Sequence, residues 1–198
     1  MELLPHGDPR LDHSEDLATA RAAVGSTPPS DPAVEAARTF ILTWTSQHVD
    51  ALHRSCAEAH LTSSALVVDQ HAERVLLLQH AKLRKWLQPG GHADGEANLA
   101  ASALREATEE SGIIGLRVVV PPIDLDIHRV EPPGEASHLH LDVRYLVLAP
   151  PDAELRANHE STGAAWATFD ELGGYQPDAG LRRLAEEGLA AARRLLGR

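Results

Sequence analysis

The feature that most constrains this chain is the window 91–113, in which three glutamates share one face of a predicted helix. Glu106, Glu109 and Glu110 stand at positions i, i+3 and i+4, and Arg105 is the only cation in the window. Like charges at these spacings cost about 0.2–0.5 kcal/mol per pair. A divalent cation removes that repulsion, and oxygen ligands on one rigid element favour Mg²⁺, with Mn²⁺ as the alternative. The window therefore predicts a metal-binding helix.

The same window resembles the Nudix box, the signature of Mg²⁺-dependent hydrolases that act on nucleoside diphosphates linked to another moiety. Gly91 and Arg105 stand at the separation found in that family, and residues 105–113 fit its pattern Arg-Glu-aliphatic-x-Glu-Glu-x-Gly-aliphatic. The glycines at the required distances make the match specific, whereas Arg-Glu-x-x-Glu-Glu alone would be a weak signal. One position departs: the first glutamate of the pattern should fall at Ala97, and Glu96, one place earlier, is the candidate to replace it.

The resemblance implies a fold, an activity and a set of roles. The fold is α/β, a Nudix α/β/α sandwich with a mixed central sheet, preceded here by an N-terminal helical extension. The activity is hydrolysis of a diphosphate bond by a metal-activated water. Glu106 and Glu110 are implied as direct metal ligands, with the carbonyl of Gly91 as a further one. Glu109 is implied as a ligand or base, and Arg105 as the residue that orients the carboxylates.

A later acidic residue supplies the base or a further ligand in several members of the family. Here Glu160 is the candidate, because it lies six residues before Trp166 in the matching loop, and His159 stands beside it. An ordinary loop acid is an equally good interpretation of Glu160.

Three residues are candidates for substrate contact. Trp86 precedes the glycine loop, where it could stack on a base or pack in the core. His140 and Arg144 lie on a predicted strand, 137–149, whose alternation places His138 and Asp142 on the same face. A His-x-His pair can bind zinc, but we favour a polar surface that faces the cleft or solvent.

Hydrophobic periodicity predicts the remaining elements. Residues 1–15 are expected to form a poorly ordered or loosely docked arm, followed by helices at 17–24, 33–47 and 50–57. The predicted domains are therefore the arm and helical extension, 1–57, and the hydrolase domain, 58–198. Within the latter, strands are expected at 63–69, 74–80, 116–120, 124–130, 137–149 and 164–168, and helices at 99–111 and 178–196.

The amino-acid composition limits the kinds of molecule that the protein is expected to bind. The formal net charge of −11 argues against binding a nucleic-acid polymer, which requires a basic face. The expected partner is a small phosphorylated molecule. A single cysteine, no signal peptide and no apolar run of membrane-spanning length predict a cytoplasmic protein without membrane attachment. A homodimer is left open, because residues 1–55 could dock on the domain, cover the cleft or contribute to an interface.

Two other functions are compatible with this fold. One is a non-catalytic sensor or regulator that binds a nucleotide ligand, and the intact glutamates argue against it. The other is an isomerase similar to isopentenyl-diphosphate isomerase, which would need a catalytic cysteine near the site. Cys56 lies outside the expected core strands, so we disfavour that function.

Overall fold

The structure is a computed structural model that describes residues 1–29, 31–81, 84–131, 134, 136–151, 153–155 and 161–198. Its helices are α1 (Leu17–Ser26), α2 (Pro32–Gln47), α3 (Leu99–Ser111) and α4 (Ala179–Leu195), with 3₁₀ segments at Pro9–Leu11 and Asp170–Tyr175. Its strands are β1 (Glu2–Pro5), β2 (Ala59–Val68), β3 (Arg74–His80), β4 (Trp86–Leu87), β5 (Gly90–His92), β6 (Arg117–Val120), β7 (Asp124–Val130), β8 (His138–Leu148) and β9 (Ser161–Thr168).

The strands form one mixed sheet. Its central path runs β1-β6-β8-β2-β3-β4, while β5 pairs with β2, β7 with β8 and β9 with β3. The β2–β8 pair is parallel over ten residue pairs, from Ala59↔Leu139 to Val68↔Leu148, and the other pairs are antiparallel. The predicted mixed central sheet is confirmed.

Helices cover both faces of this sheet. On one face, Leu61 and Ala65 of β2 join a core with buried residues of α1, α2 and α3. On the other, Leu66 and Val68 pack with α4. Helix α4 approaches so closely that a Cβ on Gly188 would lie 2.1 Å from Leu66 Cδ2. Because successive strand residues point to opposite faces, β2 is buried along its whole length and the α/β/α layering is confirmed.

The prediction of a loosely docked arm at 1–15 is wrong at its start. Glu2–Pro5 pairs with β6 at the edge of the sheet, and Leu4 is buried. Further along, the carbonyls of Arg10 and Asp12 accept hydrogen bonds from Asn98 Nδ2 at 2.9 and 3.0 Å. A strand of four residues carries too little alternation to be recognised in a polar sequence, so only its pairing with β6 reveals it.

The predicted helix at 50–57 is also wrong, because this segment consists of turns. Ala51 and Leu52 are nevertheless buried, and the Leu61 N–H donates to the Ala51 carbonyl at 2.7 Å. Contact with the start of β2 thus replaces the helical hydrogen bonds. None of the helices in the described ranges has the length and apolar character that crossing a bilayer demands.

Candidate functional site

Helix α3 carries the acidic residues and has the predicted bounds. Asn98 is its N-cap and accepts a hydrogen bond from the Ala101 N–H at 3.4 Å. Gly112 ends the helix in the left-handed conformation, with φ 66°, which glycine adopts without steric cost. Both caps agree with the sequence, in which Asn98 immediately precedes and Gly112 immediately follows the predicted helix 99–111. Burial of Ala103 and Ala107 against the sheet fixes the rotation of the helix about its axis, and therefore the direction of its glutamates.

Two of the glutamates meet the glycine strand β5. The N–H of Gly90 donates to Glu110 Oε2 at 3.3 Å. A Cβ on Gly91 would lie 2.6 Å from Glu106 Cδ, so the Glu106 carboxyl group occupies the space that a side chain at 91 would fill. The pairing Ser63↔Gly91 holds this strand on β2. The sheet thus brings a backbone rich in glycine against two carboxylates of α3.

Arg105 lies among the same acids. Its Nη2 is 2.7 Å from Glu106 Oε1, and its Nη1 donates to Glu109 Oε2 at 3.2 Å. Glu109 is the more open of the two, with 57% of its side chain exposed against 16% for Glu106. Glu106, Glu109 and Glu110 do not bring three carboxylate oxygens, one from each, within 4.8 Å of one another. Hard oxygen donors around Gly91 fit Mg²⁺ chemically, and an ion would draw them together.

Glu96 does not take the place of the missing family glutamate. Its carboxylate accepts hydrogen bonds from His13 Nδ1 at 2.5 Å, from the Ser14 N–H at 3.1 Å and from the Asn98 N–H at 2.7 Å. Ala97 is fully buried, and its N–H donates to the Ser14 carbonyl at 2.6 Å. The Glu96 side chain therefore binds the N-terminal segment to the start of α3, and that expectation is corrected.

The face of β8 that was expected to meet solvent or a cleft is largely buried. Arg144, with 4% of its side chain exposed, donates from Nε to Asp142, from Nη1 to Asp124 and from Nη2 to Asp126 at 2.8–3.2 Å. Arg183 of α4 also contacts Asp124 and Asp126. Since three carboxylates occupy its guanidinium, Arg144 serves first as the cation of a buried ion network. Its substrate contact stays a prediction.

Burial and the neighbouring charges shift the pKa values of two acids in this network, Asp124 and Asp126. Burial alone would raise the pKa of Asp126, but the hydrogen bond from His128 and the positive charges of Arg144 and Arg183 hold that pKa well below its usual range. Asp124 is the most deeply buried of the acids, and burial raises its pKa despite the same two arginines. The network was missed in the sequence because its cations and anions come from different strands and from α4.

Histidines occupy the beginning of the same face. His138 and His140 of β8 meet His60 of β2 and His92 of β5, and one ligand atom from each of the four lies within 4.8 Å of the others. Burial lowers the pKa of His140 to about 3 and that of His92 to about 4. The parallel register His60↔His140 creates this group, which the sequence alone would reveal only if the strand pairing were known.

Trp86 and Cys56 are the other candidates that lie within the described residues. Trp86 is half-buried and packs edge-on against Tyr175, with ring centroids 5.1 Å apart. Glu160 and His159 lie outside the described residues. Cys56 is buried and burial raises the pKa of its thiol, which does not favour a reactive cysteine.

Comparisons with known proteins agree with this geometry. A curated relative, "Probable DHNTP pyrophosphohydrolase" of Lactococcus lactis subsp. cremoris (strain MG1363), is 32% identical over 103 residues, which cover 50% of this chain and 60% of that relative. This chain therefore matches less than two thirds of the relative's length.

Two solved structures share the fold. A NUDIX-family hydrolase from Clostridium perfringens is 24% identical, with a TM-score of 0.52, over 69% of this chain and 97% of its own. An Ap4A hydrolase from C. elegans is 19% identical, with a TM-score of 0.54, over 70% and 98% respectively. The model of the NUDIX domain matches residues 59–194, well over half of the sequence. With the glycine strand and acidic helix in place, this match shows that the chain belongs to the NUDIX family.

Proposed function

We propose that this protein is a Mg²⁺-dependent hydrolase of a diphosphate bond in a small nucleoside-diphosphate-linked substrate, with Mn²⁺ as an alternative ion. The observation that carries the proposal is the contact of Glu106 and Glu110 with the Gly90-Gly91 backbone. Water adds to one phosphorus, the P–O–P bridge breaks, and a monophosphate and a phosphorylated remainder leave. The "pyrophosphohydrolase" in the name of the Lactococcus relative supports this reaction class.

The proposed ligands are Glu106 and Glu110 with the carbonyl of Gly91, and Glu109 is either a further ligand or the base. When bound, the ion neutralises charge on the phosphoryl oxygens and lowers the pKa of water. Arg105 holds Glu106 and Glu109 in position through its two ion pairs. Positioning and electrostatics carry most of the barrier reduction in phosphoryl transfer, so carboxylates oriented by a neighbouring arginine suit that chemistry.

We propose Glu109 as the base, with Glu160 as the alternative. The carboxylate of Glu109 is the more solvent-accessible of the two that Arg105 contacts, and an accessible carboxylate can accept a proton from water and pass it to solvent. Trp86 and His140 are retained as proposed substrate contacts, together with Arg144.

The organisation of the chain is part of the proposal. Residues 58–198 form the hydrolase domain, and residues 1–57 an extension that docks on it. The contacts of β1 with β6 and of His13 with Glu96 support docking rather than independence. The acidic composition supports a small-molecule partner without nucleic acid or membrane. A cytoplasmic location and a homodimer stay predictions.

The test is phosphate-coupled turnover on a substrate panel with Mg²⁺ or Mn²⁺. The panel contains sugar nucleotides, dinucleoside polyphosphates, NADH, dNTPs, CoA and DHNTP. We expect metal-dependent turnover that falls about 10²–10³-fold in Glu110→Gln, the loss typical of removing one electrostatic contributor. Glu186→Gln changes an exposed acid on α4 and serves as the matched control, with activity unchanged.

Comparison of Glu109→Gln with Glu160→Gln then separates the two candidate bases. The base is the residue whose loss lowers kcat and removes the acidic limb of the pH profile, while metal affinity is retained. Folded wild-type protein that binds the ion and a panel ligand without turning any panel member over would contradict the hydrolase and favour the non-catalytic sensor.

A further inference from the structure

A second group of ligand atoms lies on the sheet face opposite α3. Gly91 faces Glu106, so the next residue of β5, His92, points to the other face. There its ring centroid is 5.1 Å from that of His60 and 4.8 Å from that of His140. His138 lies 4.8 Å from His60 and 5.3 Å from His140 by the same measure. Four imidazoles from three strands thus surround one point.

Two buried nitrogens in this group lack partners. His60 is 3% exposed, and neither its Nε2 nor that of His140 has a hydrogen-bond partner among the described residues. A buried polar atom without a partner has lost its hydrogen bonds to water and gained none in return. Such atoms are uncommon in folded proteins, and a bound ion between them would satisfy both.

The outer nitrogens of two rings are already engaged. His60 Nδ1 lies 3.2 Å from the Cys56 carbonyl, and His138 Nδ1 lies 2.9 Å from the Ala136 carbonyl. A carbonyl only accepts, so each Nδ1 carries the proton and each neutral ring directs the lone pair of its Nε2 inward. Histidines that bind metals characteristically donate their second N–H to a backbone carbonyl in this way.

A hydrogen bond between His60 and His138 cannot replace an ion here. Since His60 and His138 have their protons on Nδ1, their Nε2 atoms are both acceptors and cannot bond to each other. A cation held by the lone pairs satisfies all the rings together.

We propose that His60, His92, His138 and His140 form a second metal site, which takes one Zn²⁺ or another nitrogen-seeking divalent transition ion. Imidazole nitrogens suit such ions, whereas Mg²⁺ takes oxygen ligands. A tetrahedral Zn²⁺ with four nitrogen ligands places them about 3.4 Å apart. The four ligand atoms lie within 4.8 Å of one another, so the rings must move closer together to bind the ion, and rotation of the side chains allows this movement.

The site has a structural role. The ion joins the beginnings of β2 and β8 to the end of β5, next to Gly91. The ion therefore stabilises β5, which carries Gly91 of the proposed Mg²⁺ site. It does so from the opposite face of the sheet and does not contact the acidic residues of α3. This structural role does not depend on the proposed hydrolase activity, because it concerns only metal binding and the stability of the fold.

The first experiment is a Co²⁺ titration of the untagged full chain after chelator treatment, in excess Mg²⁺ to occupy the carboxylates. We expect one equivalent with the intense visible absorption of tetrahedral Co²⁺, displaced by Zn²⁺, and a rise in Tm with Zn²⁺. Removing a residue that hydrogen-bonds to a metal-binding histidine already lowers metal affinity about 10–100-fold. The double variant His138→Gln and His140→Gln should therefore lose more than about 100-fold.

Two controls make the result specific. His71→Gln removes an exposed histidine elsewhere, and Cys56→Ser alters the other described group with metal-ligand spacing, His48, Asp50 and Cys56. Both should keep the Co²⁺ spectrum. The proposal is overturned if folded wild-type protein shows no tetrahedral equivalent, or if Cys56→Ser abolishes it. If the double variant does not fold, His138→Gln alone must show the loss, and an unchanged spectrum in that folded variant also overturns the proposal.

Discussion

The absence of a side chain at Gly91 controls where the Glu106 carboxylate lies. The space beside Gly91 is filled by the terminal atoms of Glu106. Beside Gly90, a Cβ would lie 2.9 Å from Ser64 Oγ and 3.0 Å from two backbone atoms, the Ser63 carbonyl oxygen and the Ser64 Cα. Adjacent glycines therefore have different functions. One accommodates a movable carboxylate and the other accommodates a neighbouring strand.

We expect Gly91→Ala to fold but to lose activity. The added methyl group displaces the flexible end of Glu106 and leaves the backbone in place, so Tm should change little. Disturbing the contacts that orient a metal ligand typically lowers affinity or activity about 10–100-fold, and we expect a similar fall in Mg²⁺ affinity or turnover here. Gly90→Ala is the matched comparison, because its methyl group meets backbone and should lower Tm instead. Equal effects of the two variants on Tm would refute this assignment.

At the scale of elements, two histidines of the N-terminal segment contact the acidic helix or the residues just before it. His6 Nε2 is 2.9 Å from Thr108 Oγ1 on α3, and His13 reaches Glu96 just before the helix. The hydrogen bond and negative charge of Glu96 raise the pKa of His13. A group whose pKa is higher in the folded state stabilises that state while protonated, and the contribution disappears as pH rises through the folded pKa.

We therefore predict a pH-dependent role for His13. The Tm of His13→Asn should fall below that of wild type at pH 5.5, and the difference should shrink by pH 8.5. An NMR titration should also show the pKa of His13 falling towards about 6.5 in Glu96→Gln. His71→Asn controls for the loss of an exposed histidine, since the described contacts of His71 are with Arg198. A Tm difference that grows with pH would contradict the ion pair.

At the scale of the whole molecule, the buried ion network connects the sheet with its second helical layer. Asp124 and Asp126 of β7 bind both Arg144 of β8 and Arg183 of α4. Asp142 accepts further hydrogen bonds from hydroxyl groups of β2. Breaking such a buried pair from one side is costly because the opposite charge is left without compensation.

Arg144→Met should lower the free energy of unfolding by about 3–5 kcal/mol at pH 7, measured by urea denaturation. Arg183→Met should cost less, because the Arg183 side chain is 20% exposed and the acids keep Arg144. Arg144 lowers the pKa values of Asp124 and Asp126, so its loss raises both values and lets protonation neutralise these two acids as the solution becomes acidic. The difference from wild type should narrow as pH falls below about 4. An equally small decrease in the free energy of unfolding for both variants would contradict the conclusion that Arg144 is the main cation of this network.

Local sequence was sufficient for the elements with strong periodic or capping signals. The bounds of α3 follow from Asn98, Gly112 and the spacing of its apolar residues. Strand β7 has the predicted bounds because its sequence lies between Pro121-Pro122 and Pro132-Pro133, and proline disfavours the interior of a strand. The segments at 2–5 and 50–57 were misassigned, since their conformations depend on β6 and on the beginning of β2.

By itself the sequence determined the family, the acidic helix and its capping, because those features lie within one window of 23 residues. Only the tertiary structure decided which distant residues share a site. The pairing of β2 with β8 places His60 beside His140, and docking of α4 places Arg183 beside Asp124. The physical reason is that a helical face is set by short-range spacing, whereas strand register and layer packing are set by burial across the whole chain.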